Sequence, residues 1–79
     1  MTLASMSPGQ TGRIVSIHNT EEVFFRLSEL GVIEGQSVTF VKRAPLGDPL
    51  EIRIMDYNLC LRNKEASKIE VELTTTGAA

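Results

Sequence analysis

The side chains with the greatest chemical potential in this chain are its only histidine, His18, and its only cysteine, Cys60. A catalytic nucleophile needs a positioned base that activates it. The two residues lie far apart in the sequence, and no local pattern brings them together. We therefore expect a surface histidine, a half-buried strand cysteine and no enzymatic activity.

A weak candidate for a metal site surrounds His18, because Glu21 and Glu22 follow it closely. Imidazole and carboxylate groups are ligands that transition metals accept. The chain has no His-x-x-His, Cys-x-x-Cys or Glu-x-x-His pattern, and the two carboxylates also suit the first turn of a helix, where the dipole favours negative charge. We expect no cofactor, and weak transition-metal binding at these three residues stays an alternative.

The charge balance argues weakly against a nucleic-acid-binding protein. Ten Asp and Glu outnumber eight Lys and Arg, which gives a net charge of −2, whereas nucleic-acid affinity comes largely from neutralising phosphates. Stacking aromatics usually accompany a basic groove, and two of the four aromatic side chains are expected in the core. Nucleic-acid binding stays a second alternative because five basic residues can share one outer sheet face: Lys42, Arg43, Arg53, Arg62 and Lys64.

The chain length of 79 residues fits one domain over residues 1–79, with its core at about 3–73. A domain this short buries only about 60% of its unfolded surface, which leaves little room for an enclosed active site. Hydrophobic residues make up 42% of the chain and charged residues 23%, which is typical of globular proteins. No apolar run approaches the roughly 20 residues of a membrane span, and no secretory signal pattern is present. We expect a cytoplasmic protein without membrane insertion.

Apolar spacing predicts one helix after a first strand at residues 13–17. Asn19 is a suitable N-cap, and Gly31 suits the left-handed position that follows a helix end. Leu3 and Met6, in an irregular lead-in, are expected to pack against the core. The predicted apolar face of the helix consists of Val23, Phe24, Leu27 and Leu30.

From residue 37 the apolar period changes to two, which predicts a sheet with one buried and one solvated face. Short strands with tight turns close most economically as a small barrel. We expect a mainly β, SH3-like small barrel of about five strands with one helix inserted after the first strand. Residues 64–67 are expected to form a single 3₁₀ turn, and residues 74–79 a frayed tail. The apolar residues of the four strands predicted after the helix are Val38 and Phe40; Leu50, Ile52 and Ile54; Tyr57, Leu59 and Leu61; and Ile69, Val71 and Leu73.

Residues 43–49, with the sequence Arg-Ala-Pro-Leu-Gly-Asp-Pro, are predicted to form the apex of a hairpin. The two prolines and Gly47 restrict the turn, and Asp48 suits hydrogen bonding to nearby backbone amides. Leu46 has no obvious core partner at the tip. It is a candidate anchor for another protein, although single exposed leucines are also common in turns.

Three segments together resemble the FeoA family of small cytoplasmic proteins in bacterial ferrous iron transport. They are Arg26-Leu-Ser-Glu-Leu-Gly31, the loop Arg43-Ala-Pro-Leu-Gly-Asp-Pro49, and Leu61-Arg62 followed by Glu65-Ala66. The resemblance runs from about residue 3 to residue 73. It implies an SH3-like barrel and a non-enzymatic accessory of FeoB, the membrane-embedded transporter with a cytosolic GTP-binding domain.

This resemblance predicts that the chain binds the cytosolic part of a FeoB-type transporter and supports or regulates iron uptake. Direct metal binding or iron sensing is the main alternative. Self-association is also open, because a thin core and β-rich edges favour it. The candidate partner-binding residues are Phe25, Arg26, Leu46, Gly47, Asp48 and Pro49.

Overall fold

The structure is a computed structural model that describes residues 1–18 and 22–74. The predicted order of strand, helix and four strands is confirmed. Asn19, Glu21 and residues 75–79 lie outside the described residues, so the N-cap and most of the predicted tail are not addressed. The elements are a 3₁₀ turn at Leu3–Ser5, β1 (Thr11–Ile17), α1 (Glu22–Glu29), β2 (Ser37–Arg43), β3 (Leu50–Ile54), β4 (Tyr57–Leu61), α2 (Asn63–Ala66) and β5 (Ile69–Leu73).

Four local predictions are wrong. The lead-in contains a 3₁₀ turn, and β1 begins at Thr11. The segment predicted as a 3₁₀ turn is the α-helical turn α2, where the backbone N–H of Arg62 donates to the Glu65 carboxylate at 3.0 Å. Thr74 is not frayed, because its backbone N–H donates to the carbonyl of Thr11 at 2.9 Å. Each difference comes from a hydrogen bond or chain contact that propensity does not report.

The strands form one antiparallel sheet in the order β4-β3-β2-β1-β5. A six-residue loop joins β2 to β3, a two-residue turn joins β3 to β4, and the last strand returns to pair with the first. Within residues 1–18 and 22–74, no ladder joins β4 to β5. The predicted barrel is therefore open along this side.

Burial alternates along the strands as the period of two predicts. In β3, Ile52 and Ile54 are buried while Arg53 between them is exposed. The helix α1 packs against part of the inner face of the sheet through its buried side chains Phe24 and Leu27. The inner face of the sheet and this helix face form one hydrophobic core.

The N-terminal segment covers another part of the core and also one edge of the sheet. Leu3 and Met6 are buried, as predicted. The N–H of Val71 in β5 donates to the Met1 carbonyl at 2.8 Å, and Thr2 forms a β-bridge with Glu70. Residues 1–2 thus occupy part of the β5 edge.

The end of α1 follows from one glycine. Gly31 has φ +100°, a conformation that other residues rarely adopt, and it ends the helix as predicted. The N–H of Gly31 donates to the Ser28 carbonyl at 3.1 Å, and the N–H of Val32 donates to the Leu27 carbonyl at 3.0 Å. This pair of bonds is a Schellman motif, and it directs the chain from the helix into the buried Val32.

Three apolar residues predicted to face the core lie at its margin instead. Leu30 is 42% exposed, Tyr57 is 36% exposed and Leu73 is 38% exposed. Each stands at the end of an element, where the covering layer stops. Periodicity assigns such residues to the correct face but does not show how far the core extends.

The alternation in β1 gives a direct stability test. Replacing the fully buried Ile14 with alanine should lower the free energy of unfolding by about 2–5 kcal/mol, because it removes apolar contacts and leaves a cavity. The neighbouring Val15→Ala, at a position that is 45% exposed, should lower it by less than about 1 kcal/mol. Urea denaturation measures both variants, and equal losses would contradict the inward assignment of Ile14.

Candidate functional site

The loop between β2 and β3, residues 44–49, is here called the apical loop. Arg43, at its N-terminal end, anchors it. Arg43 Nη2 donates to the Ala4 carbonyl at 2.7 Å. Arg43 Nη1 donates to Asn63 Oδ1 and, at 3.4 Å, to the Gly47 carbonyl. One guanidinium therefore joins the N-terminal 3₁₀ turn, the apical loop and α2.

Asn63, the first residue of α2, holds the other end of the apical loop. Its Nδ2 donates to the Gly47 carbonyl at 2.6 Å, and its backbone N–H donates to Asp48 Oδ1 at 2.9 Å. Inside the loop, the N–H of Ala44 donates to the Pro49 carbonyl at 2.9 Å, and the N–H of Gly47 donates to Ala44 at 2.7 Å. The loop is thus ordered by its own bonds and by those to α2.

Leu46 stands at the tip of the apical loop with 97% of its surface exposed. Beside the loop lies a groove of about 410 Å³, lined on one side by Pro45 and Pro49 and on another by Cys60 of β4. An ordered loop loses little conformational entropy when it binds. The geometry therefore suits contact with another macromolecule.

The other predicted contact residues lie on α1. Phe25 is 64% exposed, and Arg26 is also exposed, because the core takes the neighbouring Phe24 and Leu27. The structure brings the loop candidates together in one turn and places the helix candidates on a separate element.

Sequence reasoning missed an exposed apolar group at the turn between β3 and β4. Met55 is 61% exposed and its side chain lies against Gly31, since a Cβ built on that glycine would be 2.9 Å from the Met55 sulfur. Ile33, just after the helix, is 47% exposed. The positive φ of Met55, 55°, makes this turn possible, and no strong sequence signal for it is present.

His18 lies beside β5, and Glu21 of the predicted metal site lies outside the described residues. The backbone N–H of His18 donates to Lys68 at 2.8 Å, and its Nε2 is 3.2 Å from Ser16 Oγ and 3.9 Å from Glu70 Oε1. Glu22 is exposed at the start of α1. In the described part of the chain, no three His, Cys, Asp or Glu side chains are grouped as metal ligands.

Cys60 is exposed, so the prediction of a half-buried cysteine is wrong. It lies on the outer face of β4, and β2 and β3 separate that strand from β1, which leads into His18. The two residues are thus on different strands of the sheet.

The predicted basic face is interrupted by acidic and amide groups. Lys42 Nζ is 3.9 Å from Glu51 Oε1, and Arg53 donates to Asn58 Oδ1 at 3.1 Å. Asn58 in turn donates to Glu51 Oε2 at 2.6 Å. Since Arg43 also points into the loop network, the five basic residues do not form a continuous positive surface.

A small, mainly β, open barrel with an ordered and exposed apical loop has the architecture of an SH3-like domain. The family model for the FeoA domain matches residues 1–73. The chain therefore belongs to the FeoA family, which is associated with ferrous iron transport.

Known proteins agree with this assignment. A fusion of Fe(2+) transport protein A and Fe(2+) transporter FeoB from Porphyromonas gingivalis is 41% identical over 78 residues, which are 99% of this chain and 9% of that relative. The iron(II) transport protein A of Clostridium thermocellum is 36% identical, with a TM-score of 0.89 over 94% of this chain and 46% of the other.

A third relative is FeoA of Stenotrophomonas maltophilia, solved in complex with zinc and described as an SH3 domain protein and a candidate ferrous iron transport activating factor. It is 28% identical, with a TM-score of 0.79 over 91% of this chain and 89% of the other. For the chain itself, no helix within the described ranges is long and apolar enough to cross a membrane.

The loop network gives a second test. Arg43→Lys keeps the charge but loses the planar fork that serves three acceptors, so the free energy of unfolding should fall by about 2 kcal/mol. Hydrogen exchange at the Asn63 amide should also become faster, because the apical loop loses its anchor. Arg53→Lys is the matched control, since the exposed Arg53 makes a single side-chain bond. Equal behaviour of the two variants would contradict the role given to Arg43.

Proposed function

We propose that this chain is a non-enzymatic accessory of ferrous iron uptake that acts by binding the cytosolic part of a FeoB-type transporter. The fusion protein of Porphyromonas gingivalis carries this proposal, because there a segment 41% identical to this chain is covalently joined to a transporter. Covalent linkage gives two domains a high effective concentration for each other. Such a fusion is favourable when the two parts act together, which supports a site of action for this chain in the cytoplasm beside the membrane.

The apical loop supports the proposal as a contact surface. Leu46 is almost fully exposed, while the backbone below it is bonded to α2 through Gly47 and Asp48. A leucine that becomes buried in a partner contributes about 1.5–3 kcal/mol. The ordered loop offers this contribution without a large entropy cost.

The helix α1 offers a second, separate candidate surface. Phe25 projects an aromatic ring into solvent, and Arg26 supplies an adjacent positive charge. Aromatic and arginine side chains are enriched among the residues that dominate binding energies. Phe24 and Leu27 of the same helix are buried in the core, whereas the exposed Phe25 ring is open to a partner.

Binding to the purified cytosolic part of the transporter tests this proposal. Leu46→Asp and Phe25→Asp should each weaken binding at least about tenfold, since a loss of 1.4 kcal/mol is tenfold in affinity. Leu73→Asp, at an exposed apolar position at the end of β5, is the control and should bind normally. Unchanged affinity of a folded Leu46→Asp, Phe25→Asp double variant would rule out both surfaces.

The same variants test the cellular role. Cells that lack this chain should take up less ferrous iron, and the parent sequence and Leu73→Asp should restore the uptake. A double variant that restores uptake fully would contradict the link between the surface and transport.

A second candidate function is direct binding of a transition-metal ion. His18 Nε2 and Glu70 Oε1 are 3.9 Å apart at the surface, and the Stenotrophomonas relative was solved with zinc. Two ligands, one exposed and one half-buried, favour only weak binding. Anaerobic calorimetry with ferrous iron should show heat that His18→Ala removes and Glu72→Gln, an exposed carboxylate on the same strand, preserves. No heat at about millimolar metal, in the range of weak protein sites, would end this candidate.

A further inference from the structure

The two edges of the sheet differ in how they are protected. The β5 edge carries Glu70 and Glu72 and is partly covered by residues 1–2. The β4 edge has the sequence Tyr-Asn-Leu-Cys-Leu, without charge, proline or bulge. Charges, prolines, bulges and covering segments are the usual protection of edge strands. The β4 edge lacks all four in the described residues.

The hydrogen-bond pattern of the β3–β4 hairpin defines what the open edge offers. Ile54 pairs with Tyr57 across the two-residue turn, so this pair exchanges backbone bonds. Bonded and non-bonded pairs alternate in an antiparallel ladder. The N–H and C=O groups of Asn58 and Cys60 therefore point away from β3. Among the described residues, no backbone bond from another segment reaches them.

We propose that two copies of this chain pair through their β4 strands, antiparallel about a two-fold axis that passes by Leu59. In this register Asn58 of one copy lies opposite Cys60 of the other, and these two pairs exchange four backbone hydrogen bonds. The two copies of Leu59, which is half-buried at the margin of the core, lie directly opposite each other. This inference does not rest on the proposed binding to the transporter.

The side chains favour a second copy over another strand. Because β4 is uncharged, self-pairing brings no like charges together along the seam. On the outer face, Arg53 is beside Asn58 in one copy and Glu51 is beside Cys60. Across the dimer interface, neighbouring side chains on the outer face therefore follow the order Arg53 and Asn58 of one copy, then Cys60 and Glu51 of the second copy. A shift by two residues in one direction requires Arg62, whose backbone already bonds to residues of α2. A shift in the other direction requires Asp56, which lies in the β3–β4 turn, so both registers form fewer bonds.

A pair of variants at one position isolates the backbone contribution. Cys60→Pro removes the outward N–H but not a bond to β3, so the monomer should still fold. Cys60→Ser keeps this N–H and removes the thiol. In sedimentation equilibrium, the parent chain and Cys60→Ser should dimerise alike, and Cys60→Pro should lower the association constant at least about tenfold, since two hydrogen bonds per dimer are lost. Circular dichroism checks the fold.

A cross-linking experiment tests the register independently of that proline. In a Cys60→Ser background, Leu59→Cys places two thiols across the axis with Cα atoms about 4.5 Å apart, within disulfide range. Mild oxidation should give a covalent dimer. Tyr57→Cys in the same background is the control and should not cross-link, because four residues of offset separate its two copies by roughly 13 Å.

Two results would overturn the pairing. One is a parent chain that stays monomeric at all concentrations, together with no cross-link through Leu59→Cys. The other is a monomeric chain in which Cys60→Pro, but not Cys60→Ser, weakens binding to the cytosolic part of the transporter, because the edge would then receive a strand of that protein. Normal transporter binding by a Cys60→Pro monomer, next to a dimeric parent, would support the pairing.

Discussion

The apolar inner face of one curved sheet is the constraint on which this structure depends. The described residues form a single sheet, so other segments must remove its inner face from water. The chain start does this with Leu3 and Met6, and α1 does it with Phe24 and Leu27. Because a domain of this size has little core to spare, both segments contribute to its stability. The chain start is thus held in a defined conformation because its side chains Leu3 and Met6 are buried in the core.

The Arg43 network connects this core to the functional surface. Arg43 follows Phe40 in β2, with its guanidinium carbon 5.1 Å from the centre of that buried ring. Its fork then reaches Ala4, Asn63 and Gly47. The same side chain therefore covers the core, fastens the chain start and orders the apical loop. This geometry explains how a loop can expose Leu46 almost completely and still keep one shape.

Much of the fold follows from local patterns. The period of two placed Ile52, Ile54 and Phe40 inside, and the spacing of Phe24 and Leu27 predicted the buried side of α1. The extent of the core was less predictable, since Leu30, Tyr57 and Leu73 have the right periodicity but no covering layer. For the site, the exposed tip of the apical loop was predicted. The anchoring by Asn63 was not, because that contact joins residues that are 20 positions apart.

By itself, the sequence determined the elements, their buried faces and the family, because apolar period, turn residues and motif spacing are local properties of the chain. Only the tertiary structure decided which groups have partners. Arg43 hydrogen-bonds to the apical loop and does not belong to a continuous basic face. His18 lies beside Glu70, and Asn58 and Cys60 lie on an open sheet edge. The physical reason is that hydrogen-bond partners and strand neighbours depend on how distant segments meet, and a sheet order of β4-β3-β2-β1-β5 is not encoded in any one segment.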